Sequence, residues 1–484
     1  MSVNDKYWLK HYFGESTKIA YYGVSFNPYD PREESIFATV GGQSVIIAQF
    51  DNSKPVALEV LQTYIDENTE ENFYCCAWSF DPISGAPWLA VTGAQGIIKI
   101  IDSSVGNVVR SLIGHGDEIN EIKFHPRKPS LLFSASKDFS IRLWNVVTCM
   151  PIAIFGGECG HREPVLSIDV HLSGDFLASS GMDHAVKIWS LCTPVVKNAI
   201  ESSLKPIQPS RPQQTSSSRQ QTCCRSHGKP PSPVFVHFPI YSTARLHNNY
   251  VDCVRWYGDL LLSRCAADAT IILWKPNVEL IATDNSNVTT IIVGGPSKQS
   301  SSYDIICEFE FDHCDIWFLR FGISPDYQQL ATGNQIGQIY LWNLQDIPLF
   351  IDKYIEKKKA KNIVTNKKEK VTVKKKGGNG GNGKKSTANV NNHSANSNGG
   401  SASSSSSGNN TNDNLKSENV ENKECKPSIL GMEPCDSTIR QVAFSKNRNW
   451  MVAVCDDATI WCWKMNREVQ QAGNSRYDPM IIDD

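Results

Sequence analysis

The fold is decided by two consecutive units, Gly114-His115…Ser136-Lys137-Asp138…Ile141-Arg142-Leu143-Trp144 and Gly160-His161…Gly181-Met182-Asp183…Val186-Lys187-Ile188-Trp189. In each unit the Asp lies six residues before the Trp, and the His lies 29 and 28 residues before it. Polar and apolar residues alternate in the runs that end at Trp144 and Trp189, as they do in half-buried strands. Self-similarity at a period of about forty residues indicates β-propeller blades of the Gly-His…Trp-Asp type.

The His and Asp of each unit are predicted to form a buried structural pair. The Asp lies in the turn before the Trp strand, where it can accept a hydrogen bond from the His while the Trp packs over both. A catalytic His-Asp dyad uses the same residue types, but no nucleophile stands at a fixed offset from either pair. Repetition at blade spacing therefore favours structure, whereas an enzyme would need His115 or His161 to be accessible in a pocket.

Weaker copies of the unit flank the two clear ones and predict an all-β, seven-bladed WD-repeat propeller. The seven units are 22–47, 74–102, 114–145, 160–189, 246–274, 313–343 and 439–463. A closed ring of blades leaves no long exposed sheet edges. The aromatic-rich stretch 7–13 is the candidate strand that completes the last blade, and a loosely packed arm is the alternative.

Two biased stretches interrupt the blades and are predicted to be long disordered loop insertions. The predicted organisation is blades one to four with the closing strand (1–193), a largely disordered insertion (194–244), blades five and six (245–352), a basic and then Gly/Asn/Ser-rich disordered insertion (353–428), blade seven (429–466) and a C-terminal tail (467–484). The Lys clusters of the second insertion indicate either nuclear import and weak contact with nucleic acid, or a solvated linker.

Composition excludes several classes of function. The 484 residues carry a formal net charge of −2, which gives no strong attraction to nucleic acid or to a membrane surface. The 15 Cys contain no Cys-x-x-Cys, so we expect reduced thiols and neither a zinc site nor a disulfide framework. We expect neither a signal peptide nor a membrane span. No phosphate loop or hydrolase motif is present, so the sequence predicts a binding surface with no cofactor and no catalytic residues.

The starts of the seven innermost strands are predicted to face one another around one mouth of the central channel. The corresponding residues are Tyr22, Tyr74, Asn120, Leu166, Asp252, Trp317 and Arg440. Three are large aromatics, on blades one, two and six, and Phe318 adds a fourth. Converging aromatic faces attract a cation, above all a methylated ammonium. Geometry alone nevertheless favours plain packing over a cage, because aromatic residues commonly start strands.

The chain closely resembles the embryonic ectoderm development / extra sex combs family, the WD-repeat subunit of Polycomb repressive complex two. The motifs that carry the resemblance are 114–191, Asn72-Phe73-Tyr74, 249–256, 314–321, 454–461, Phe155-Gly156-Gly157 and Gly181-Met182-Asp183-His184. The resemblance implies an aromatic cage for trimethylated lysine of a histone tail, formed by Tyr22, Tyr74, Trp317 and Phe318. This chain has Tyr22 where the family usually has Phe, and Phe318 where it has Tyr.

The same resemblance implies residues that line the mouth and bind the peptide: Asn120, Lys137, Met182, Tyr250, Asp252, Arg320 and Arg440. It also implies a nuclear protein that receives a helix of an Enhancer of zeste-type methyltransferase subunit on the opposite face, with other subunits of the complex as further partners. The alternative is a general WD-repeat adaptor, for example in RNA processing or ubiquitin transfer, with packed aromatics and no preference for methylated lysine.

Overall fold

The computed structural model describes residues 7–14, 19–30, 35–50, 58–204, 232–278, 301–345, 347, 426–431 and 436–465, and all statements below concern these residues. They form seven antiparallel sheets of four strands, one of which gains a fifth, parallel strand. Each sheet is one blade, and the fold class predicted from the sequence is confirmed. No helix in these ranges is long and apolar enough to span a membrane.

The strands follow the chain from blade to blade. The first strand and blades one to three comprise β1 Tyr7–Gly14, β2 Gly23–Phe26, β3 Phe37–Gly41, β4 Ser44–Phe50, β5 Leu58–Ile65, β6 Phe73–Phe80, β7 Pro87–Gly93, β8 Ile98–Asp102, β9 Asn107–Leu112, β10 Ile119–His125, β11 Lys128–Ser136, β12 Ile141–Asn145 and β13 Met150–Phe155. Blade four contains β14 Val165–Val170, β15 Phe176–Gly181 and β16 Val186–Ser190; α1 Pro194–Leu204 and β17 Val234–Val236 follow, and β18 Tyr241–Thr243 completes it.

The remaining strands form blades five to seven. They are β19 Val251–Tyr257, β20 Leu260–Cys265, β21 Thr270–Pro276, β22 Tyr303–Glu310, β23 Gly322–Ile323, β24 Gln329–Gly333, β25 Gln338–Asn343, β26 Ser428–Gly431, β27 Ile439–Phe444, β28 Trp450–Cys455 and β29 Thr459–Met465. In every blade the first strand lies innermost and packs beside first strands of neighbouring blades, as β27 does against β2.

The N-terminal strand closes the ring. Strand β1 pairs antiparallel with β29 as the outermost strand of blade seven, from Tyr7 opposite Met465 to Gly14 opposite Thr459. The Tyr7 hydroxyl also donates a hydrogen bond to Gln329 in blade six, at 2.9 Å. The aromatic-rich N-terminal stretch therefore lies in the place that the sequence indicated for a closing strand.

The hydrophobic core is a series of clusters between adjacent blades. One cluster joins Trp88 and Ile100 of blade two to Ile122 and Trp144 of blade three. Another joins blades three and four and also takes in Val196 and Ile200 of α1. Period-2 alternation along each strand supplies the two apolar faces that such stacking needs.

Part of the first predicted insertion is ordered, which corrects the boundary drawn from composition. Helix α1 buries Val196 and Ile200 against blade three, and β17 pairs in parallel with β13. Strand β18, within the same predicted insertion, is the fourth strand of blade four. Residues 205–231 and the Lys clusters between 353 and 376 lie outside the described ranges.

The three longest connections all join the third strand of a blade to its fourth. They run from β16 to β18, from β21 to β22 and from β25 to β26. Strand β26 thus belongs to blade six, and not to blade seven as the boundary at 429 implied. Because first and third strands of an antiparallel blade run in the same direction, these connections leave from the face opposite the starts of the innermost strands.

Blade six departs from the repeat at its innermost strand. The sequence predicted a strand from Trp317 to Phe321, but β23 contains only Gly322 and Ile323. Residues 312–319 have no strand assignment, and Phe318 has a positive φ of 67°, in the left-handed region that bulky side chains rarely adopt. The backbone polar groups of this segment are therefore satisfied in another way, described below.

Candidate functional site

Blades three, four and five each contain a chain of four hydrogen-bonded side chains. In blade three, His115 Nδ1 lies 2.7 Å from Asp138 Oδ2, and His115 Nε2 lies 2.7 Å from Ser134 Oγ. The Trp144 indole N–H donates to the same Ser134 oxygen at 2.8 Å. Matching chains are His161-Asp183-Ser179-Trp189 and His247-Asp268-Ser263-Trp274.

The prediction that these His-Asp pairs are buried and structural is confirmed. The side chains of His115 and His161 are 0% and 1% exposed, and both ring nitrogens are occupied. Burial lowers the pKa of both imidazoles despite the nearby carboxylates, so the rings are neutral at pH 7. Sequence reasoning missed the serines, although each stands 10 or 11 residues before its Trp.

One group of possible metal donors occurs in the described ranges, where His247, Cys265 and Asp268 place their ligand atoms within 4.8 Å of one another. These atoms already have partners. His247 Nδ1 lies 3.2 Å from Asp268, and the Cys265 thiol lies 2.9 Å from the same carboxylate oxygen. Burial raises the pKa of this thiol to about 11, so it remains a thiol at neutral pH.

The four predicted cage residues lie together. The ring centroids of Tyr22, Tyr74 and Phe318 form a nearly equilateral triangle with sides of 5.5, 5.8 and 6.0 Å, and the rings meet edge to face. Trp317 is 5.7 Å from Phe318 in the same edge-to-face manner. The indole of Trp317 is 44% exposed, whereas Phe318 is 6% exposed, so the cluster has a buried floor and an open wall.

Protein cations already contact two of these rings. The Arg320 guanidinium lies 4.4 Å from the Phe318 centroid, and that of Arg440 lies 5.8 Å from the Tyr22 centroid. Both distances fall within the range of cation–π attraction. Burial, followed by the charge of Glu118, raises the pKa of Tyr74, so its ring stays neutral. The cluster therefore presents neutral aromatic faces of the kind that attract cations.

A buried ionic network lies within the ring of blades and includes Arg320. Glu121 accepts from Arg255 Nη2 at 2.7 Å and lies 3.4 Å from Arg320, while Arg320 Nη2 donates to the Asn120 carbonyl at 2.5 Å. Burial disfavours the charge of Glu121, but Arg255, Arg320 and Lys123 outweigh it and hold the pKa well below its usual range. These bonds join blades three, five and six.

Three of the predicted peptide-binding residues are buried, which limits what they can do. Asn120, Asp252 and Arg320 are 5%, 0% and 1% exposed, and each bonds to another blade. Their burial favours a structural role for these three side chains, and their part in peptide binding stays a prediction. Sequence spacing placed them near the right strand ends but carried no signal for their depth.

The other four predicted peptide-binding residues retain some exposure. Lys137 is on the surface beside Glu118, at 3.2 Å, and Met182 and Tyr250 are half-buried. Arg440 forms two hydrogen bonds to Asp456, at 2.6 and 2.7 Å, and donates to the Trp317 carbonyl at 3.1 Å. Arg440 is thus anchored at the rim, next to the exposed indole.

Seven four-stranded blades with recurring His-Asp-Ser-Trp chains define this protein as a WD-repeat β-propeller. The family model described as "WD domain, G-beta repeat" matches residues 106–145, 151–190 and 428–464. The first two matches end at Asn145 and Ser190, in blades three and four, and the third extends into blade seven.

Comparison with known proteins narrows the class. The chain is 35% identical over 444 residues to Polycomb protein esc of Drosophila virilis, covering 91% of this chain and 80% of that protein. It is 38% identical over 345 residues to Polycomb group protein FIE2 of Zea mays, covering 70% and 80%. The chain therefore belongs to the extra sex combs family of Polycomb WD-repeat proteins, and the resemblance seen in the sequence is confirmed.

Solved structures share the fold at lower identity. A chain of the Chaetomium thermophilum Polycomb Repressive Complex 2 bound to GSK126 has a TM-score of 0.67 and 21% identity, with 96% of this chain and 99% of that chain covered. A chain of ctPRC2 in complex with H3K27me3 and H3K27M has a TM-score of 0.65 and 21% identity, covering 96% and 98%. At this identity the likeness concerns the fold.

Proposed function

We propose that this protein is a non-catalytic subunit of a nuclear Polycomb-type histone methyltransferase complex and that it reads methylated lysine. The observation that carries the proposal is the aromatic cluster of Tyr22, Tyr74, Trp317 and Phe318, drawn from three blades to one place. The names of the Polycomb relatives support the assignment to such a complex.

The chemistry of the cluster suits a quaternary ammonium. A trimethylated lysine keeps its charge but cannot donate a hydrogen bond, so it loses little when it leaves water for an aromatic surface. Each desolvated cation–π contact contributes up to about 2 kcal/mol. The centroid triangle is too small for a trimethylammonium to enter its plane, so the ligand would rest above Phe318 and against the exposed face of Trp317.

The test is a calorimetric titration with histone-tail peptides that differ only in the methylation of one lysine. We expect affinity to rise from the unmodified to the trimethylated peptide, and Trp317→Ala to abolish this preference. Phe235→Ala is the matched control, because Phe235 is an aromatic residue 61% exposed on β17 of blade three. Equal binding of all peptides would remove the reader function and leave a general adaptor.

As a scaffold, the protein is proposed to receive a helix of an Enhancer of zeste-type subunit on the face opposite the cage, together with other subunits of the complex. Occupancy of the cage would then favour the active state of the bound enzyme. Such coupling requires the peptide to have different affinities for two states of the complex. A methyltransferase rate that stays constant while the trimethylated peptide binds would contradict the coupling.

The residues 353–428 offer a separate test of localisation. If their Lys clusters act in nuclear import, deletion of residues 353–424, which ends before β26, should move the protein to the cytoplasm without affecting peptide affinity. Retention in the nucleus would identify the range as a linker.

A further inference from the structure

Most of the innermost strand is missing from blade six at the point where this blade contributes Trp317 and Phe318 to the cage. First strands in blades two to five contain six to eight residues, but β23 contains two. Backbone N–H and C=O groups that leave a sheet and remain buried must find other partners. The partners of residues 314–319 therefore show what holds the cage in shape.

Two fully buried side chains of blade five supply most of these partners. Arg264 Nη2 donates to the carbonyl of Cys314 at 2.5 Å and to that of Ile316 at 2.8 Å. Asp252 Oδ2 accepts from the backbone N–H of Phe318 at 2.6 Å and from that of Leu319 at 3.3 Å. Both side chains are 0% exposed and pair with each other at 2.5 Å.

The strained residue lies in the middle of this arrangement. Phe318 has a φ of 67°, and its own backbone N–H is bound by Asp252. A positive φ is unfavourable for an aromatic residue and persists only where surrounding contacts fix it. The same backbone conformation presents the Phe318 ring to Tyr22 and Tyr74, at 5.8 and 6.0 Å.

We propose that Asp252 and Arg264 are positioning residues that clamp residues 314–319 of blade six and thereby prearrange the cage. This inference rests on the proposed reader function, but the clamp itself can be measured without a ligand. An ion pair buried in a core is replaced by apolar groups at little cost in stability. The hydrogen bonds that Asp252 and Arg264 make to the backbone of 314–319 thus explain their burial better than a contribution of the ion pair to the stability of the fold does.

The test uses the double variant Asp252→Asn with Arg264→Met, which removes both charges and leaves no unpaired buried ion. The control is Asp66→Asn with Lys99→Met, which removes a second ion pair, between blades one and two, whose aspartate is buried. Hydrogen exchange of peptides covering 314–319, urea denaturation and affinity for a trimethylated-lysine histone peptide are measured for both variants and for the wild type.

We expect exchange in 314–319 to accelerate at least tenfold in the Asp252/Arg264 variant alone, with peptide affinity at least tenfold lower and urea midpoints similar in the two variants. Unchanged exchange would overturn the clamp. Faster exchange with unchanged affinity would overturn its role in the cage. If the wild type itself does not bind, the reader function fails, while exchange still decides whether the two residues hold the segment.

Should the Asp252/Arg264 variant fail to fold, the single variant Arg264→Lys tests the clamp in its place. Lysine retains the charge opposite Asp252 but cannot bond two carbonyls in the planar geometry of a guanidinium. Faster exchange across 314–319, including the bonded amides of Phe318 and Leu319, would support the clamp, and wild-type exchange throughout would overturn it.

Discussion

Blades four and six use the same repeat in different ways. In blade four, Trp189 donates to Ser179, His161 joins that serine to Asp183, and the innermost strand is complete. In blade six, the buried Trp342 indole N–H has no hydrogen-bond partner among the described residues, and Asn334 stands in the corresponding turn. Polar side chains of blade four join its own strands. In blade six, the segment that carries Trp317 is instead bound by Asp252 and Arg264 of blade five, and the Trp317 indole is exposed.

The difference shows where a repeat fold can carry function. A residue that follows the repeat serves to join strands, because the same hydrogen-bond partners recur in blades three, four and five. A segment that breaks the repeat needs partners from elsewhere, and it can then adopt a conformation such as that of Phe318. Four experiments, in decreasing order of expected effect, test this difference between the blades.

The largest effect is expected from Trp189→Ala compared with Trp317→Ala. Trp189 is 0% exposed, and its truncation should lower the free energy of unfolding by roughly 3–5 kcal/mol. Trp317 is 44% exposed, so the same substitution should change stability by less than about 0.5 kcal/mol. Urea denaturation measures both; similar losses would show that blade six depends on its tryptophan as blade four does.

Acid should destabilise the fold through His125. Burial, and then the charge of Lys128, lowers the pKa of His125 from 6.5 to about 4, and its Nδ1 accepts from the backbone N–H of Arg127. Since the unfolded chain binds the proton first, this stability is present above pH 6.5 and is lost as the pH falls towards 4, by roughly 3 kcal/mol. Urea midpoints from pH 7 to 4.5 should fall less steeply in His125→Gln; equal slopes would contradict the assignment.

Substitution of Tyr22 should have a smaller effect, on the affinity for the trimethylated peptide. Tyr22→Leu should weaken binding of the trimethylated peptide by about 1–2 kcal/mol, because an aromatic face that attracts the cation is lost. Tyr22→Phe keeps that face and should stay within about twofold, since the attraction does not require the hydroxyl. Calorimetry of the two variants separates these effects, and equal losses would mean that the hydroxyl, not the ring face, binds the ligand.

The smallest effect concerns the indole N–H alone. Trp189→Phe removes the donor to Ser179 and should cost about 1 kcal/mol more than Trp342→Phe, whose N–H has no partner in the described ranges. Thermal or urea denaturation of the two variants checks the difference. Equal costs would indicate that Trp342 is hydrogen-bonded in solution.

Local patterns were sufficient for most of the fold. The Gly-His…Asp…Trp spacing predicted blades three and four. The alignment of the strand starts predicted that Tyr22, Tyr74 and Trp317 lie close together. Helix α1 was missed because its polar composition hid the two residues, Val196 and Ile200, that it buries. Composition reports an average, whereas burial depends on a few positions.

The support of the cage could not be predicted from the sequence. Arg264 and Cys314 are 50 residues apart, and no period relates them. The left-handed conformation of Phe318 has no sequence signal either, because glycine or asparagine is the usual indication of a positive φ. Contacts that replace a missing strand are specific to one blade, so a repeat pattern cannot reveal them.

The closing strand has a consequence for biosynthesis. Tyr7–Gly14 is translated before all the other blade strands, but its partner Thr459–Met465 is translated after them. Until then both β1 and the outer edge of the growing array lack their partners, and unpaired edges invite wrong pairing. The ring therefore closes only after the strands of all seven blades have been translated, and correct folding depends on protecting two edges that are distant in sequence until they pair.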